Sequence, residues 1–390
     1  MNVLQPGVGP IDGAAYLPST PETVAWGLLP NAASRPVLTA ASGTAVTFDT
    51  VSHEGLLADQ GGDPAAFFGA AGIGRDRLLA DAVGIAAALR HRPEQAGPHI
   101  VTGPVAIPGA RPGDVLEVEV LALRRRAPYG VISNRHGRGA LAGEYPRAEV
   151  SAGGAGGAGS AGSPGGAGSA GGASGAGTAS TPVPPVCLVA HADDDGFGRL
   201  PLPGGRALRW PLAPFLGILA VASATEAPVH SVPPGAHGGN LDIKLLTEGA
   251  KLYLPVQVDN ALFAAGDPHF SQGDGEVALT AFEAPLRATV RLTLRTDEPM
   301  RRMAKALAAP FAETAADQVV IGLDPDLDEA LRRAARAAIA FLGERFGVPS
   351  AVALAYLSAA CDFHVSQVVD LVKGVHCRIP KADLAGLVAR

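Results

Sequence analysis

Across residues 287–295, Ala288, Val290, Leu292 and Leu294 fall on one side, and Arg287, Thr289, Arg291, Thr293 and Arg295 on the other. A period of two predicts a half-buried antiparallel strand. The same alternation runs through Val46, Phe48 and Thr50. It returns over residues 115–123, where Leu116, Val118 and Val120 alternate with Glu117 and Glu119 behind a Pro112-Gly113-Asp114 turn. Residues 251–258 and 277–282 are further apolar runs of strand length. Leu78, Leu79, Val83, Ile85 and Leu89 suit one helix over residues 76–90. From Asp326 the spacing turns helical through Leu327, Ala330, Leu331, Ala334, Ala338 and Phe341. A second helix is expected from Ser350, as N-cap, to about residue 362.

This order predicts an α+β, β-rich fold. Antiparallel sheets would form a sandwich-like body over residues 1–325, and residues 326–390 a helical C-terminal extension packing on the body or on a neighbouring subunit. Residues 151–185 interrupt the body with Gly, Ala and Ser, then Thr and Pro, which predicts a flexible insertion. The GxGxxG at residues 157–162 follows no strand and opens no amphipathic helix, so it reflects composition rather than a dinucleotide site.

With 390 residues, 47% of them hydrophobic, the chain can bury a sizeable core. A net charge of −6 without a dense basic block argues against nucleic acid as a partner. Cys187, Cys361 and Cys377 are scattered, with no CxxC spacing, which fits a reducing cytoplasm. No signal peptide is visible, and apolar stretches such as residues 212–222 are too short to span a membrane. A cytoplasmic protein is expected.

Candidate chemistry concentrates in residues 266–276, where Asp267, His269, Asp274 and Glu276 are interrupted by three glycines and a proline. That punctuation predicts a turning loop. Asp267 and His269 stand two apart, so an extended backbone points both to one side, and His with carboxylate suits zinc or another divalent metal. Glu276 is the natural general acid or base for an activated water. Asp274, between two glycines, reads as a turn-former, and a structural calcium loop is a competing reading of the segment. Asn240, Asp242 and Lys244 alternate after Gly238-Gly239, which suits a polar substrate or, equally, a turn with a solvated strand start. His99 enters an apolar strand alone, as structural histidines more often do. GxSxG, HExxH and a P-loop are all absent, so any hydrolysis would use an activated water.

Together, residues 238–244 (Gly-Gly-Asn-Leu-Asp-Ile-Lys), 252–256 (Leu-Tyr-Leu-Pro-Val) and 266–276 resemble the acetamidase/formamidase family. Residues 103–104, 109–116 and 214–217 fit as well. The resemblance implies a β-rich fold, homo-oligomeric assembly, and hydrolysis of a small linear amide to ammonia and a carboxylate. It implies a site of His99, Asn240, Asp242, Lys244, Asp267, His269 and Glu276. On that reading Asp242, Asp267 and His269 would hold a divalent metal, zinc before calcium. Glu276 and Lys244 would be catalytic, and Asn240, His99 and Gln272 would bind substrate. A cyclic-amide hydrolase and a non-catalytic small-molecule or metal-binding member are the alternatives. Val258-Asp259-Asn260 and the tail from Asp326 depart from the family pattern. His53-Glu54, Arg135-His136 and Glu144 read as loop-surface residues before pocket residues.

Overall fold

The computed structural model describes residues 3–146 and 183–388. The expected flexible insertion at 151–185 lies, as far as residue 182, outside them. The strongly alternating strand forms as expected and becomes the centre of the body. Leu286–Arg295 lies between Thr44–Asp49 and Val115–Arg125, antiparallel to both. Its apolar face buries Ala288, Val290 and Leu292 completely, against Val46, Phe48, Val118 and Val120. Full burial of each Val, Leu or Phe side chain is worth about 1.5–3 kcal/mol. The other face is covered where Arg287 stands. Arg287 forks onto Asp49, Nε to Oδ1 at 2.6 Å and Nη2 to Oδ2 at 3.0 Å, and donates to the main-chain oxygens of Gln5, Val8 and Pro10.

Among the described residues this sheet has nine strands, in the order Ala15–Leu17, Thr44–Asp49, Leu286–Arg295, Val115–Arg125, Lys251–Pro255, Phe311–Glu313, Asp317–Asp324, Lys373–Pro380 and Asp362–Gln367. A second sheet runs Gly238–Asn240, Phe215–Ala220, Phe263–His269, Ile100–Ala106 and Val24–Trp26. The two share one core, in which Leu216, Leu219, Phe263 and Ala265 of the second meet the apolar face of the first. The rings of Phe48 and Phe263 touch edge to face at 5.8 Å. The body is therefore sandwich-like, as expected. A four-stranded antiparallel sheet, Tyr129–Asn134, Val186–Ala192, Phe197–Pro201 and Ala207–Pro211, lies beside it.

Four local expectations need correction. Residues 266–269 are not loop but the end of strand Phe263–His269, because Phe215–Ala220 and Ile100–Ala106 offer partners on both edges. Residues 277–282 are not a strand. Glu276 and Leu279 adopt positive φ, 47° and 102°, which folds the run into turns while Phe282 still bonds to Ser271. The helix expected over 76–90 shrinks to Ala80–Ala88, since Leu78 and Leu79 are extended and turn their side chains inward. The tail is not helical throughout. Leu327–Phe346 and Ser350–Ala360 form, the first capped by Asp326 and ended at Gly347. Residues 362–367 and 373–380 are strands instead, and Lys373–Pro380 pairs with Asp317–Asp324 along its full length. Helical spacing stops at Cys361, and Phe363 and Val365 then alternate as a strand requires.

Candidate metal centre

Three chain segments bring acidic groups to the same buried place. Asp267 and His269 ride the end of strand Phe263–His269, held in register by Phe215–Ala220. Asp242 follows strand Gly238–Asn240, where the Leu241 amide donates to Gly217 O at 3.0 Å. Glu276 follows a turn pinned by the tail, in which the Gly275 amide donates to Ser366 O and the Val368 amide to Gly275 O. Asp242, Asp267 and Glu276 all have left-handed backbone, φ 48°, 52° and 47°. For residues with side chains that conformation is costly and collects at functional sites. All four groups are buried.

His269 Nε2 lies 2.9 Å from Glu283 Oε1 and 3.3 Å from Asp267 Oδ2, while its Nδ1 faces Asp242 Oδ1 at 3.7 Å. The other Asp267 oxygen faces His53 Nδ1 and His99 Nε2, each at 3.9 Å. Gly217 leaves room at the centre. A β-carbon there would stand 2.5 Å from Asp267 Oδ2 and 2.9 Å from His269 Cε1, and closer still to Asp242 Oδ1.

Burial raises the proton affinity of Asp242 and Glu276 in spite of the nearby His269. It pushes Asp242 up to about 7, with Asp267 adding to the effect. Glu276 rises well above its ordinary range through burial, Asp242 and Asp370. Burial also acts against Asp267, but His269, His99 and His53 hold that carboxyl low. His269 is raised well above its usual value because Glu283 and Asp267 outweigh the cost of burying it. Both Asp242 oxygens, Asp267 Oδ1, Glu276 Oε2 and His269 Nδ1 have no hydrogen-bond partner. Orphaned buried acceptors beside an imidazole, around a space a methyl group would fill, are what a divalent cation satisfies. The residues fit a metal.

The acetamidase/formamidase family's sequence profile matches residues 212–382. A formamidase of Methylophilus methylotrophus is 27% identical over 316 residues, 70% of this chain and 74% of that one. An acetamidase of Mycolicibacterium smegmatis is 31% identical over 46% of this chain and 49% of its own, so the chain matches about half of that relative. The solved acetamidase from Bacillus halodurans shares the fold, with a TM-score of 0.68 at 24% identity over 95% of this chain and 99% of that one. Over residues 212–382 this chain is similar to the acetamidase/formamidase family.

The profile match runs to residue 382 and so takes in most of the tail. The turn between its two strands carries Asp370, buried beside Asp242 and Glu276, and burial together with Asp242 raises Asp370 well above the ordinary carboxyl range.

The other expected site residues are placed as follows. Asn240 is buried with its Oδ1 unpartnered. Gln272 Nε2 donates to Asp242 O at 2.9 Å and Ser366 O at 3.1 Å, so its amide ties the site to the tail. Lys244 stands at the partly open rim, its Nζ 3.0 Å from Asp274 Oδ2. Asp274 also meets His364 Nδ1 at 3.1 Å, so it does more than shape a turn. His376 is a packed histidine on Ser366 Oγ. His53 and Glu54 are buried at the centre and not on a surface loop, with Arg135 Nη1 3.1 Å from Glu54. Glu144 is exposed, as expected. Glu283 and Asp370 carry no local sequence signal. Glu283 is a lone acid in an apolar run that an isolated antiparallel bridge brings back onto His269, and Asp370 enters on the tail turn.

Proposed function

We propose that this chain hydrolyses the C–N bond of small linear amides, of the formamide and acetamide kind, to ammonia and a carboxylate at the centre around Asp267. The observation that carries the reading is the convergence of Asp242, Asp267 and His269 on the space over Gly217, with a Glu276 oxygen within 4.8 Å of donors of Asp242 and His269. The formamidase and acetamidase relatives support the substrate class.

Asp242, Asp267 and His269 would hold a divalent cation, and the mixed imidazole and carboxylate donor set suits zinc. When bound, it supplies Lewis acidity to the amide carbonyl and lowers the pKa of water. Glu276 takes the proton from the attacking water and delivers it to the leaving nitrogen, since an amide anion cannot leave unprotonated. Its raised proton affinity makes it a stronger base than a surface glutamate and lets it hold that proton between the two steps. Lys244, on its flexible stem at the rim, turns from Asp274 toward the tetrahedral oxyanion. Asn240 presents its free amide oxygen to the substrate NH2.

Assembly and location complete the proposal. Val352 and Leu354, 57% and 54% exposed, lie on a helix without a charged residue, which supports a homo-oligomer. Among the described residues no single helix is long and apolar enough to cross a membrane, and the cysteines are free, which is compatible with the cytoplasm.

The test is ammonia release from formamide, acetamide, larger linear amides and a cyclic amide, before and after chelation. The reading expects turnover of the short linear amides, lost on chelation and restored by zinc. Turnover of the cyclic amide alone would transfer the assignment to that class, and unchanged turnover after complete metal removal would remove the cation from it.

A further inference from the structure

Strand Phe263–His269 packs on both of its sides. Ala265 joins the core shared with the first sheet, while Ala264 beside it faces outward with Leu29, Val101, Ile218 and Ala220. A two-stranded ribbon covers part of this outward face. The chain leaves strand Val24–Trp26 at Gly27, φ 82°, and Leu28–Leu29 then pairs with Val229–His230. Between ribbon and sheet lies a cleft of about 290 Å³. The sheet contributes Ala25, Val101, Gly103 and Ala264 to it, and the ribbon Leu28, Leu29 and Val229. Two alanines and a glycine on the sheet side leave space that larger side chains would fill. No residue of the metal centre lines it.

The lining carries no charged residue, and its polar side chains, Asn31 and Ser34, are spent on local bonds. Asn31 Nδ2 donates to Ala227 O at 2.9 Å and Glu226 O at 3.1 Å. Asn31 Oδ1 accepts from the Ala33 amide and from Ser34 Oγ, both at 3.1 Å. Ser34 Oγ in turn accepts from the Asn31 amide at 2.9 Å. The main chain is engaged as well, the Gly103 amide with Thr23 O, Pro104 O with the Val37 amide, and Pro30 O with the Ser223 amide. A bound water needs about 2–4 polar partners, which this lining does not offer. Displacing poorly held water with an apolar group gains affinity. A charged ligand would lose its hydration there and find no counter-charge.

We infer that this cleft is a second binding site, for a neutral apolar molecule the size of one ring or two fused rings. Size selects the occupant. An apolar cavity of roughly 150 Å³ holds benzene, so the larger cleft takes a fused pair. A protein partner needs roughly 20–30 residues a side, more than line this space. Ala33 and Pro228, both exposed, leave the mouth open to a small molecule. The site does not depend on the metal-assisted reading.

Indole is the probe, titrated by NMR into the full chain and soaked into its crystals. Saturable binding at one site per chain is expected, with a Kd on the order of 0.1–1 mM for a ligand of about nine heavy atoms. The ring should lie between Leu29 and Ala264 in the crystal, and chelation should leave its affinity unchanged. Indole-3-acetate, with the same ring and a carboxylate, should bind about 10-fold or more weakly. Ala25→Leu fills the cleft from the sheet side and should abolish binding. Ala33→Trp, at the exposed mouth where folding is not at stake, places its own ring in the space and should do the same. Circular dichroism confirms that each variant is folded. Absence of saturable binding to the wild type, including a cleft covered by a second copy, would overturn the inference. So would indole binding unchanged in folded Ala25→Leu and Ala33→Trp, or equal affinity for indole-3-acetate.

Discussion

Glu283 Oε1 stands 2.9 Å from His269 Nε2, and this contact determines which nitrogen of His269 can serve a ligand. A proton held on Nε2 toward Glu283 leaves the Nδ1 lone pair directed at Asp242. Partners of this kind fix ring orientation and tautomer. Replacing Glu283 with Gln should therefore weaken zinc binding about 10–100-fold. Competition with a chromogenic chelator measures it, and unchanged affinity would show that Glu283 does not orient His269.

Gly217 is the floor of the same site. Gly217→Ala adds one carbon into the space shared by Asp242, Asp267 and His269. Overpacking a tight position costs about 1–3 kcal/mol, so the chain should still fold but bind little metal. Melting temperature and zinc content measured together separate this from general unfolding. A folded variant with full zinc content would mean the cation does not occupy that space.

The acidic groups of this site were partly legible. Asp267, His269 and Glu276 stand in one short, glycine-punctuated segment, and Asp242 lies in a second. The same glycines and Pro268 concealed that residues 266–269 continue a strand, because pairing on both edges overrides local turn signals. Period-two alternation located Leu286–Arg295 correctly, since one face had to be buried. It did not show that Arg287 would be buried on the other face by Asp49 and the N-terminal segment. His53, Glu283 and Asp370 were not legible as site residues. His53 and Asp370 come from segments remote in sequence, and Glu283 returns onto His269 only through an isolated antiparallel bridge after the turns of residues 276–282.

The tail also sets a pH dependence. Burial holds His376 down at about 4, so it is neutral in the fold. An unfolded histidine titrates near 6.5 and takes up a proton first as pH falls. The contribution of His376 is therefore complete above about pH 6.5 and is lost as pH falls toward 4, which amounts to about 2 kcal/mol by pH 5. His376→Gln should flatten the fall in melting temperature between pH 7 and 5 relative to wild type. Parallel curves would show that His376 does not contribute.

Lys244 tests the electrostatic half of the proposed chemistry. Its Nζ rests on Asp274 at the rim. Loss of one oxyanion donor costs roughly 10²–10³ in kcat. Lys244→Met should lower kcat on acetamide by that order with little change in KM. A change confined to KM would make Lys244 a binding residue only.

The central claim is that Glu276 handles the proton in amide cleavage. Steady-state ammonia release from formamide and acetamide by Glu276→Gln, at a verified metal content, tests it most directly. General acid–base groups contribute about 10²–10⁴ in rate, so kcat should fall by that order while the protein stays folded and still holds metal. A kcat near that of the wild type, with metal retained, would contradict the account.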